Sequence, residues 1–453
     1  MKRILSLLIM IFIITSIVFL GISCKKEVSS ESSAETTAAE TTAVSKEPVT
    51  INFWQLASFQ IDVWTERKAL YEAENPNVTI NLVPIENQNL REIMDSVLAS
   101  KSEDVDLFFY WGGGKTFEWA NAGLIYDMTD IFKENNFYDK LLPMAKAFEY
   151  NGKSYCLPTD WQSAGYIYYN KGIFKEVGVD VPKNLDELFD VSKKLTDAGY
   201  LPLTFGVKVQ WPQLRLYNLL LTRFMSKEDA LKLIMWGWSE DKSVETAEIF
   251  RSEGSINALK MTRKFAEDGV VPEEAMPMDD NAARLAFTSG KAAMYSSGQW
   301  ITSTLREEAP EMDLSWFNIP PNAEGFSAEM CADAGDALMI PAFVDEKKIP
   351  IIADILNKSL TKEYAMASYK VGYVPVANSV PMESVKDMLD PTVLEIVSAV
   401  DEFGSIPWMD VWTESAERNK NIYDTIDLVF QGVITPEEGA QSLYDVAVGS
   451  LDQ

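Results

Sequence analysis

Tryptophan residues stand beside amide or carboxylate residues, mostly where the sequence predicts the end of a strand. Flat aromatic rings pack against the C–H faces of a sugar ring, and amides and carboxylates hydrogen-bond to its hydroxyls. The repeated pairing therefore predicts a site for a neutral carbohydrate. The places are Trp54-Gln55, Trp111 before three glycines, Asp160-Trp161-Gln162, Gln210-Trp211, Gln299-Trp300 and Trp408-Met409-Asp410.

A single tryptophan taken alone is more often a packing residue than a ligand residue. Four tryptophans fall inside predicted helices, and we expect them in the core: Trp64, Trp119, Trp236 and Trp238. The carbohydrate prediction therefore depends on the coincidence of several other tryptophans with strand ends.

The composition excludes several kinds of chemistry. The chain has no histidine, so Ser-His-Asp and Cys-His catalysis, HExxH zinc sites and imidazole bases are ruled out. With 40 Lys and Arg against 68 Asp and Glu, the net charge is −28. Such a surface repels nucleic acid and anionic lipid head groups. We expect no cofactor, no metal and no nucleic-acid partner.

Three other functions fit parts of the pattern. A glycoside hydrolase also binds sugars through tryptophans and needs two carboxylates, for which Asp160 and Asp336 are candidates. No short motif, however, places two carboxylates at a catalytic separation. A receptor for a polyamine or another charged solute would use the same aromatic and acidic residues through cation–π contacts. A non-transport adhesin or chemoreceptor would share every one of these features.

The N-terminus predicts export and lipid attachment. Lys2 and Arg3 precede an apolar run over residues 4–22, which is typical of a signal peptide. Cys24 follows the run, in a segment that resembles a lipobox, although Gly21 stands where that motif usually has a Leu-like residue. The alternative is an uncleaved anchor helix. We therefore predict a lipoprotein signal peptide over residues 1–24, with lipidation at Cys24.

Residues 25–47 predict a disordered tether, because they are mostly Ser, Thr, Ala and Glu and include no aromatic residue. The remaining body is too long for one ordinary core, so two domains are expected. Cys156 and Cys331 lie in this body, where they either pair or remain buried free thiols.

The first half of the body alternates strand and helix signals. Strands are predicted over residues 49–54, 78–85 and 105–110, and helices over 59–73 and 90–99. This order predicts an α/β fold with a parallel sheet, whose ligands bind outside the carboxyl ends of the strands.

A second set of elements follows residue 158. Strands are predicted over 165–169, 203–207 and 292–295. Asn184 is expected to cap a helix that ends before Gly199, and further helices are predicted over 226–235, 255–268 and 280–288. Thr435 and Glu438 form a predicted capping box at the start of the last helix.

The segment FTSGKAAMYSSGQW, residues 287–300, resembles the hallmark of family 1 extracellular solute-binding proteins of ABC sugar importers, the group that includes maltose-binding proteins. Four other segments resemble that family in order and spacing. They are residues 151–188, CADAGDALMIP at 331–341, VGYVPVANS at 371–379, and TPEEGAQSLYDVA at 435–447.

The resemblance implies the two-lobed, type II periplasmic-binding-protein fold, in which each lobe is a mostly parallel sheet flanked by helices. The chain would cross between lobes near residues 155–159, 315–320 and 370–375. The N-terminal lobe would then combine residues 48–157 with 320–369, and the C-terminal lobe 158–319 with 370–453. A monomer is expected.

The resemblance also implies a function and a ligand set. The protein would capture a mono- or oligosaccharide between its lobes, outside the cytoplasm, and deliver it to an ABC importer permease without catalysing a reaction. Because Ala332-Asp333-Ala334-Gly335-Asp336 has fewer glycines than relatives usually show, the roles of Asp333 and Asp336 stay open. Carried over by position, the ligand residues are Trp54, Gln55, Trp111, Asp160, Trp161, Trp211, Gln299, Trp300, Asp336, Tyr373, Trp408 and Asp410.

Overall fold

The computed structural model describes residues 47–58, 60–142, 148–239, 241–322, 327–413 and 415–452. The predicted signal peptide, the lipidation site Cys24 and all but the last residue of the predicted tether lie outside this range. Among the described residues, no helix is long and apolar enough to cross a membrane.

Twelve strands are found among the described residues, and ten of them form one sheet. Their bounds are β1 Val49–Leu56, β2 Val78–Ile85, β3 Leu107–Trp111, β4 Glu149–Tyr150, β5 Lys153–Ser154, β6 Leu157–Asn170, β7 Leu201–Thr204, β8 Ala292–Gly298, β9 Leu314–Phe317, β10 Met330–Met339, β11 Val374–Pro375 and β12 Ser405–Ile406.

Eighteen α-helices accompany these strands in the described part of the chain. Their bounds are α1 Gln60–Glu74, α2 Asn87–Ala99, α3 Gly114–Asn121, α4 Thr129–Glu134, α5 Phe137–Lys140, α6 Lys171–Val177, α7 Leu185–Asp197, α8 Trp211–Phe224, α9 Lys227–Ile234, α10 Val244–Ala247, α11 Glu253–Glu267, α12 Asp280–Thr288, α13 Thr302–Glu308, α14 Ile349–Ser359, α15 Lys362–Lys370, α16 Pro391–Phe403, α17 Ala416–Phe430 and α18 Pro436–Gly449.

Local signals placed the helix ends well. The Asn184 side chain accepts a hydrogen bond from the Glu187 amide at 2.9 Å and caps α7, as predicted. Thr435 and Glu438 form the predicted reciprocal capping box at the start of α18. These caps satisfy amide donors that would otherwise lack a partner at the helix start.

The large sheet has the strand order β2-β1-β3-β10-β6-β8-β7. Its pairs at both ends are parallel, namely β1 with β2 and β3, and β7 with β8. The central pairs of β10 with β3 and β6, and of β6 with β8, are antiparallel. The α/β class is confirmed, but the sheet is mixed where the pattern predicted mostly parallel strands.

Strands β6 and β10 explain this difference. Residues 157–164 of β6 pair with residues 331–338 of β10, and the remainder of β6 pairs with β8 and β9. Nearly every residue of both strands is buried, so neither shows the alternation that reveals a half-exposed strand. Sequence reasoning therefore found only residues 165–169 of β6. Residues 47–453 form one compact unit by backbone contacts, and the lobe boundaries stay a prediction.

The pairing of β6 with β10 decides whether Cys156 and Cys331 form a disulfide or remain free thiols. Cys331 pairs with Ala164, and Cys156 directly precedes the start of β6. Eight residues of extended chain separate the two positions by roughly 25 Å, whereas a disulfide requires Cα atoms within about 7 Å. Both cysteines are buried free thiols, and burial raises the pKa of each to about 12.

Candidate functional site: an aromatic row and a buried carboxylate pair

Three of the predicted ligand tryptophans lie side by side. The ring centroids of Trp211 and Trp300 are 6.0 Å apart, and those of Trp300 and Trp408 are 6.3 Å apart. We call these residues the aromatic row. Trp211 begins α8, Trp300 follows β8, and Trp408 lies in the loop before α17, so tertiary structure alone brings them together.

Two glycines let the rings of the aromatic row lie against backbone. A Cβ atom built on Gly298 would stand 2.1 Å from the Trp300 ring, and one on Gly335 would stand 2.7 Å from the Trp408 ring. A side chain at either position would displace the indole. The Gly-x-Trp ending of the segment at residues 287–300 therefore positions Trp300 sterically.

Asp280 adds a carboxylate to the aromatic row. The Trp211 indole Nε1 donates a hydrogen bond to Asp280 Oδ2 at 3.1 Å. Burial raises the pKa of Asp280 to about 6, yet part of the side chain stays exposed. The sequence search missed Asp280 because it followed strand ends, whereas Asp280 is the first residue of α12.

A buried ion pair supports the other end of the aromatic row. Arg215 Nη2 lies 2.6 Å from Asp410 Oδ1, and the Arg215 guanidinium lies 4.4 Å from the centroid of the Trp408 ring. The Tyr423 hydroxyl donates to Asp410 Oδ2 at 2.5 Å. Burial acts to raise the pKa of Asp410, but Arg215 and Tyr423 together hold it below its usual value.

Trp111 lies under a cation whose charge acts on the acids beside the aromatic row. The Arg91 guanidinium, on α2, stands 3.9 Å from the centroid of the Trp111 ring. The charge of Arg91 also acts to lower the pKa of Asp280 and Asp410. Arg91 and Trp111 therefore lie within electrostatic range of the acids beside the aromatic row. The sequence search did not select Arg91.

Asp160 and Asp336 form a second group, the carboxylate pair. They are register partners on β6 and β10, and both are buried. Asp336 Oδ2 accepts hydrogen bonds from the amides of Gln60 and of Gln162, the latter at 2.5 Å. Burial raises the pKa of Asp336 well above its usual value, and Asp160 adds to this effect.

The charge of Arg67 acts on the carboxylate pair. Arg67 is buried, donates to Ser368 Oγ at 2.8 Å, and acts to lower the pKa of Asp160, although burial raises that pKa overall. The hydroxyl of buried Tyr373 lies 3.4 Å from Gln162 Nε2. The carboxylate pair is thus surrounded by protein donors on β6, α1 and α15.

Asp333 and Asp336 have distinct roles. Asp333 Oδ2 accepts from the Trp412 indole at 2.6 Å and from the Trp408 amide at 3.3 Å. Asp333 therefore holds the loop that carries Trp408, while Asp336 belongs to the carboxylate pair. Burial raises the pKa of Asp333 to about 6.

Gln299 and Trp161 have structural partners. Gln299 Oε1 accepts from the Ser163 amide at 2.7 Å, and its Nε2 donates to the Trp161 carbonyl at 3.0 Å. Both ends of this amide thus fix Gln299 to β6, and the ligand role predicted for it gains no support from these contacts. The Trp161 side chain is buried.

The two predicted ligand residues of β1 differ. The Trp54 indole donates to the Asp104 carbonyl at 3.0 Å, in the loop before β3. This loop lies at the amino end of β3, so the indole is directed away from the carboxyl ends of the strands. Gln55 is fully buried at the carboxyl end of β1, where its Nε2 has no hydrogen-bond partner in the structure.

Other buried polar atoms share this property with Gln55. Trp408 Nε1, Arg215 Nη1 and Ser163 Oγ are buried without a hydrogen-bond partner. An unpaired buried donor costs about 1–3 kcal/mol, and two of these donors, Trp408 Nε1 and Arg215 Nη1, lie together at one end of the aromatic row.

Two cavities lie away from the predicted ligand residues. One of about 620 Å³ lies beside Trp236, and one of about 310 Å³ lies beside the Asp106–Lys348 ion pair. No residue predicted to bind ligand lines either cavity. Among the described residues, no cluster of carboxylates and cysteines could hold a metal ion.

The α/β architecture with its mixed sheet is the type II periplasmic-binding-protein fold, which the similar solved structures described below share. Residues 55–366 match the family described as bacterial extracellular solute-binding protein, and the chain belongs to that family.

Relatives and solved structures agree with this assignment. The multiple sugar-binding protein of Streptococcus mutans is 25% identical over 323 residues, which span 71% of this chain and 73% of that protein. Some other curated relatives are matched over 60% of their length. A structure from work on xylan utilization by Caldanaerobius polysaccharolyticus has a TM-score of 0.75 and 23% identity, covering 88% of this chain and 99% of the other. A maltose-bound T. maritima protein has a TM-score of 0.72 and 15% identity, covering 88% and 98%.

Proposed function

We propose that this protein captures a mono- or oligosaccharide between two lobes and delivers it to the permease of an ABC importer. It catalyses no reaction, and the sugar is bound at the aromatic row. The membership of the chain in the solute-binding family and the sugar-binding role named for its relative in S. mutans support the proposal.

The observation that carries the sugar assignment is the presence of both donors and acceptors around the aromatic row. Trp408 Nε1 and Arg215 Nη1 are donors without an acceptor in the structure. The carboxylate of Asp280 is an acceptor. A sugar hydroxyl both donates and accepts, whereas the ammonium groups of a polyamine only donate. A polyamine would leave both donors unpaired, so the arrangement favours a carbohydrate.

The glycoside hydrolase alternative is disfavoured by the surroundings of its two candidate carboxylates. Asp336 is bonded to the amides of Gln60 and Gln162, and Asp160 lies beside Arg67 and Ser368. A general acid or nucleophile must reach the glycosidic bond. Both carboxylates are instead buried and engaged by protein groups.

A screen by thermal shift tests the sugar assignment. Purified residues 25–453 would be melted with mono- and oligosaccharides, and separately with polyamines. Binding to the native state at 100-fold excess over Kd contributes about 2.7 kcal/mol, which corresponds to a shift of several degrees. A shift with a polyamine and with no saccharide would overturn the assignment. Release of reducing sugar during incubation would overturn the non-catalytic role.

We also propose that Cys24 carries the lipid that attaches the protein to the outer side of the cell membrane, where it acts as a monomer. Wild type grown with labelled palmitate should incorporate the label, and Cys24→Ser should not, because serine has no thiol to carry the lipid. Absence of label in a membrane-bound wild type would instead favour an uncleaved anchor helix.

A further inference from the structure

The three glycines after β3, residues 112–114, are the glycine turn. A Cβ atom on Gly113 would stand 2.1 Å from the Val411 carbonyl oxygen, and one on Gly114 would stand 2.5 Å from that of Thr413. Gly113 also has a φ of 102°, which side chains rarely adopt. Another segment of the chain thus lies directly against Gly113 and Gly114.

That segment, residues 407–413, is the facing loop, and α8 of the same predicted lobe holds it. Asn218 Oδ1 accepts from the Met409 amide at 2.8 Å, and Asn218 Nδ2 donates to the Pro407 carbonyl at 3.3 Å. Because α8 anchors the facing loop, the loop is poorly able to retreat from a new side chain on the glycine turn. Asp333 Oδ2 of β10, in the predicted lobe of the glycine turn, accepts from the Trp412 indole at 2.6 Å, so this bond also joins the two predicted lobes.

Charges lie at the same edge. Arg91 covers Trp111, the residue before the glycine turn. Its charge acts on Asp410 within the facing loop and on Asp280 beside the aromatic row. Attraction between these groups favours contact between the two segments, and salt weakens it because Arg91 is exposed.

We propose that the contact between the glycine turn and the facing loop is the latch that holds the two predicted lobes closed. It rests on the proposed function, since the sequence assigns residues 112–114 to one lobe and 407–413 to the other. Because residues 113 and 114 have no side chains, the two segments can approach closely, and this approach sets the fraction of molecules that are closed. A methyl group at the contact lowers that fraction, and the apparent ligand affinity falls in proportion.

Gly114→Ala tests the latch, because the φ of Gly114 lies outside the left-handed region and alanine fits its backbone. The matched control is Gly449→Ala, where a Cβ atom would meet nothing within 4 Å. Small-angle scattering and hydrogen exchange would be measured on both variants and on wild type without any sugar. We expect a larger radius of gyration and roughly tenfold faster exchange in residues 407–413 for Gly114→Ala only. A radius of gyration and an exchange rate equal to those of wild type for Gly114→Ala would overturn the latch.

A second variant keeps the test decisive if Gly114→Ala does not fold. Arg91→Gln removes the charge without adding bulk at the contact, and we expect about threefold faster exchange of the facing loop in 50 mM salt, and no difference from wild type in 1 M salt. Equal exchange at both salt concentrations would contradict the latch. Neither measurement needs a ligand. Failure of the saccharide screen, which tests the proposed function, can therefore be told apart from failure of the latch.

Discussion

The residues of the aromatic row and of the carboxylate pair were all predicted to bind ligand, yet their surroundings differ. The carboxylate pair is bonded to protein amides of Gln60 and Gln162. The aromatic row keeps a partly exposed carboxylate at Asp280 and an unpaired donor on Trp408. A residue whose polar atoms are already paired contributes to stability, and a residue with unpaired atoms is available to a ligand.

The largest effect is expected in the carboxylate pair. Asp336→Ala leaves the buried amides of Gln60 and Gln162 without their acceptor, so the free energy of unfolding should fall by about 3 kcal/mol. Urea unfolding measures this change. Asp313→Ala is the control, because the exposed ion pair of Asp313 with Lys171 should contribute less than about 1 kcal/mol. Unchanged stability with loss of sugar binding would place Asp336 among the ligand residues instead.

The next effect is expected in the aromatic row. Trp300→Ala removes the central ring, so saccharide affinity should fall about thirtyfold, or about 2 kcal/mol, with little change in the melting temperature without ligand. Trp54→Ala is the matched comparison, since its indole is bonded to Asp104 away from the row, and binding should be retained. Isothermal titration and thermal melts separate the two. Collapse of the unliganded Trp300 variant would mean that this ring belongs to the core.

A pH effect distinguishes Asp333 from groups with ordinary pKa values. Burial raises its pKa to about 6, above the value of about 3.9 in the unfolded chain. A raised folded pKa means that the native state binds the proton more tightly, so stability is lost as pH rises from 4 to 7. Asp333→Asn does not titrate. The free energy of unfolding of this variant, measured relative to that of wild type, should therefore rise by up to about 3 kcal/mol between pH 4 and pH 7. Parallel stability curves for the two proteins would refute this expectation.

The smallest effect is expected for Asp280→Asn, which keeps the shape but removes the charge beside Trp211. We expect about fivefold weaker sugar binding, or about 1 kcal/mol. Since the pKa of Asp280 is about 6, the gap in affinity between wild type and variant should widen from pH 5 to pH 7. Titrations at the two pH values provide the measurement, and Asp279→Asn, on the neighbouring exposed cap, is the control. Identical affinities for all three proteins would remove Asp280 from the site.

Sequence alone determined the local elements, because their signals are local. Caps such as Asn184 with Glu187 require residues only three positions apart, and β2 was predicted with its observed bounds. The family resemblance at residues 287–300 also led to the α/β binding-protein fold, which the family match confirms. Long, fully buried strands such as β6 were truncated in the prediction because burial on both faces removes the alternation.

Only tertiary structure decided which polar atoms are paired and what approaches the glycines. Trp211 meets Asp280, 69 positions along the chain, and Gln60 meets Asp336, 276 positions away. The glycine turn lies against the facing loop, which is about 300 residues later in the sequence. Such contacts depend on the packing of distant elements, which no spacing along the chain encodes. The residue types were therefore readable from the sequence, while their division between structural and ligand roles was not.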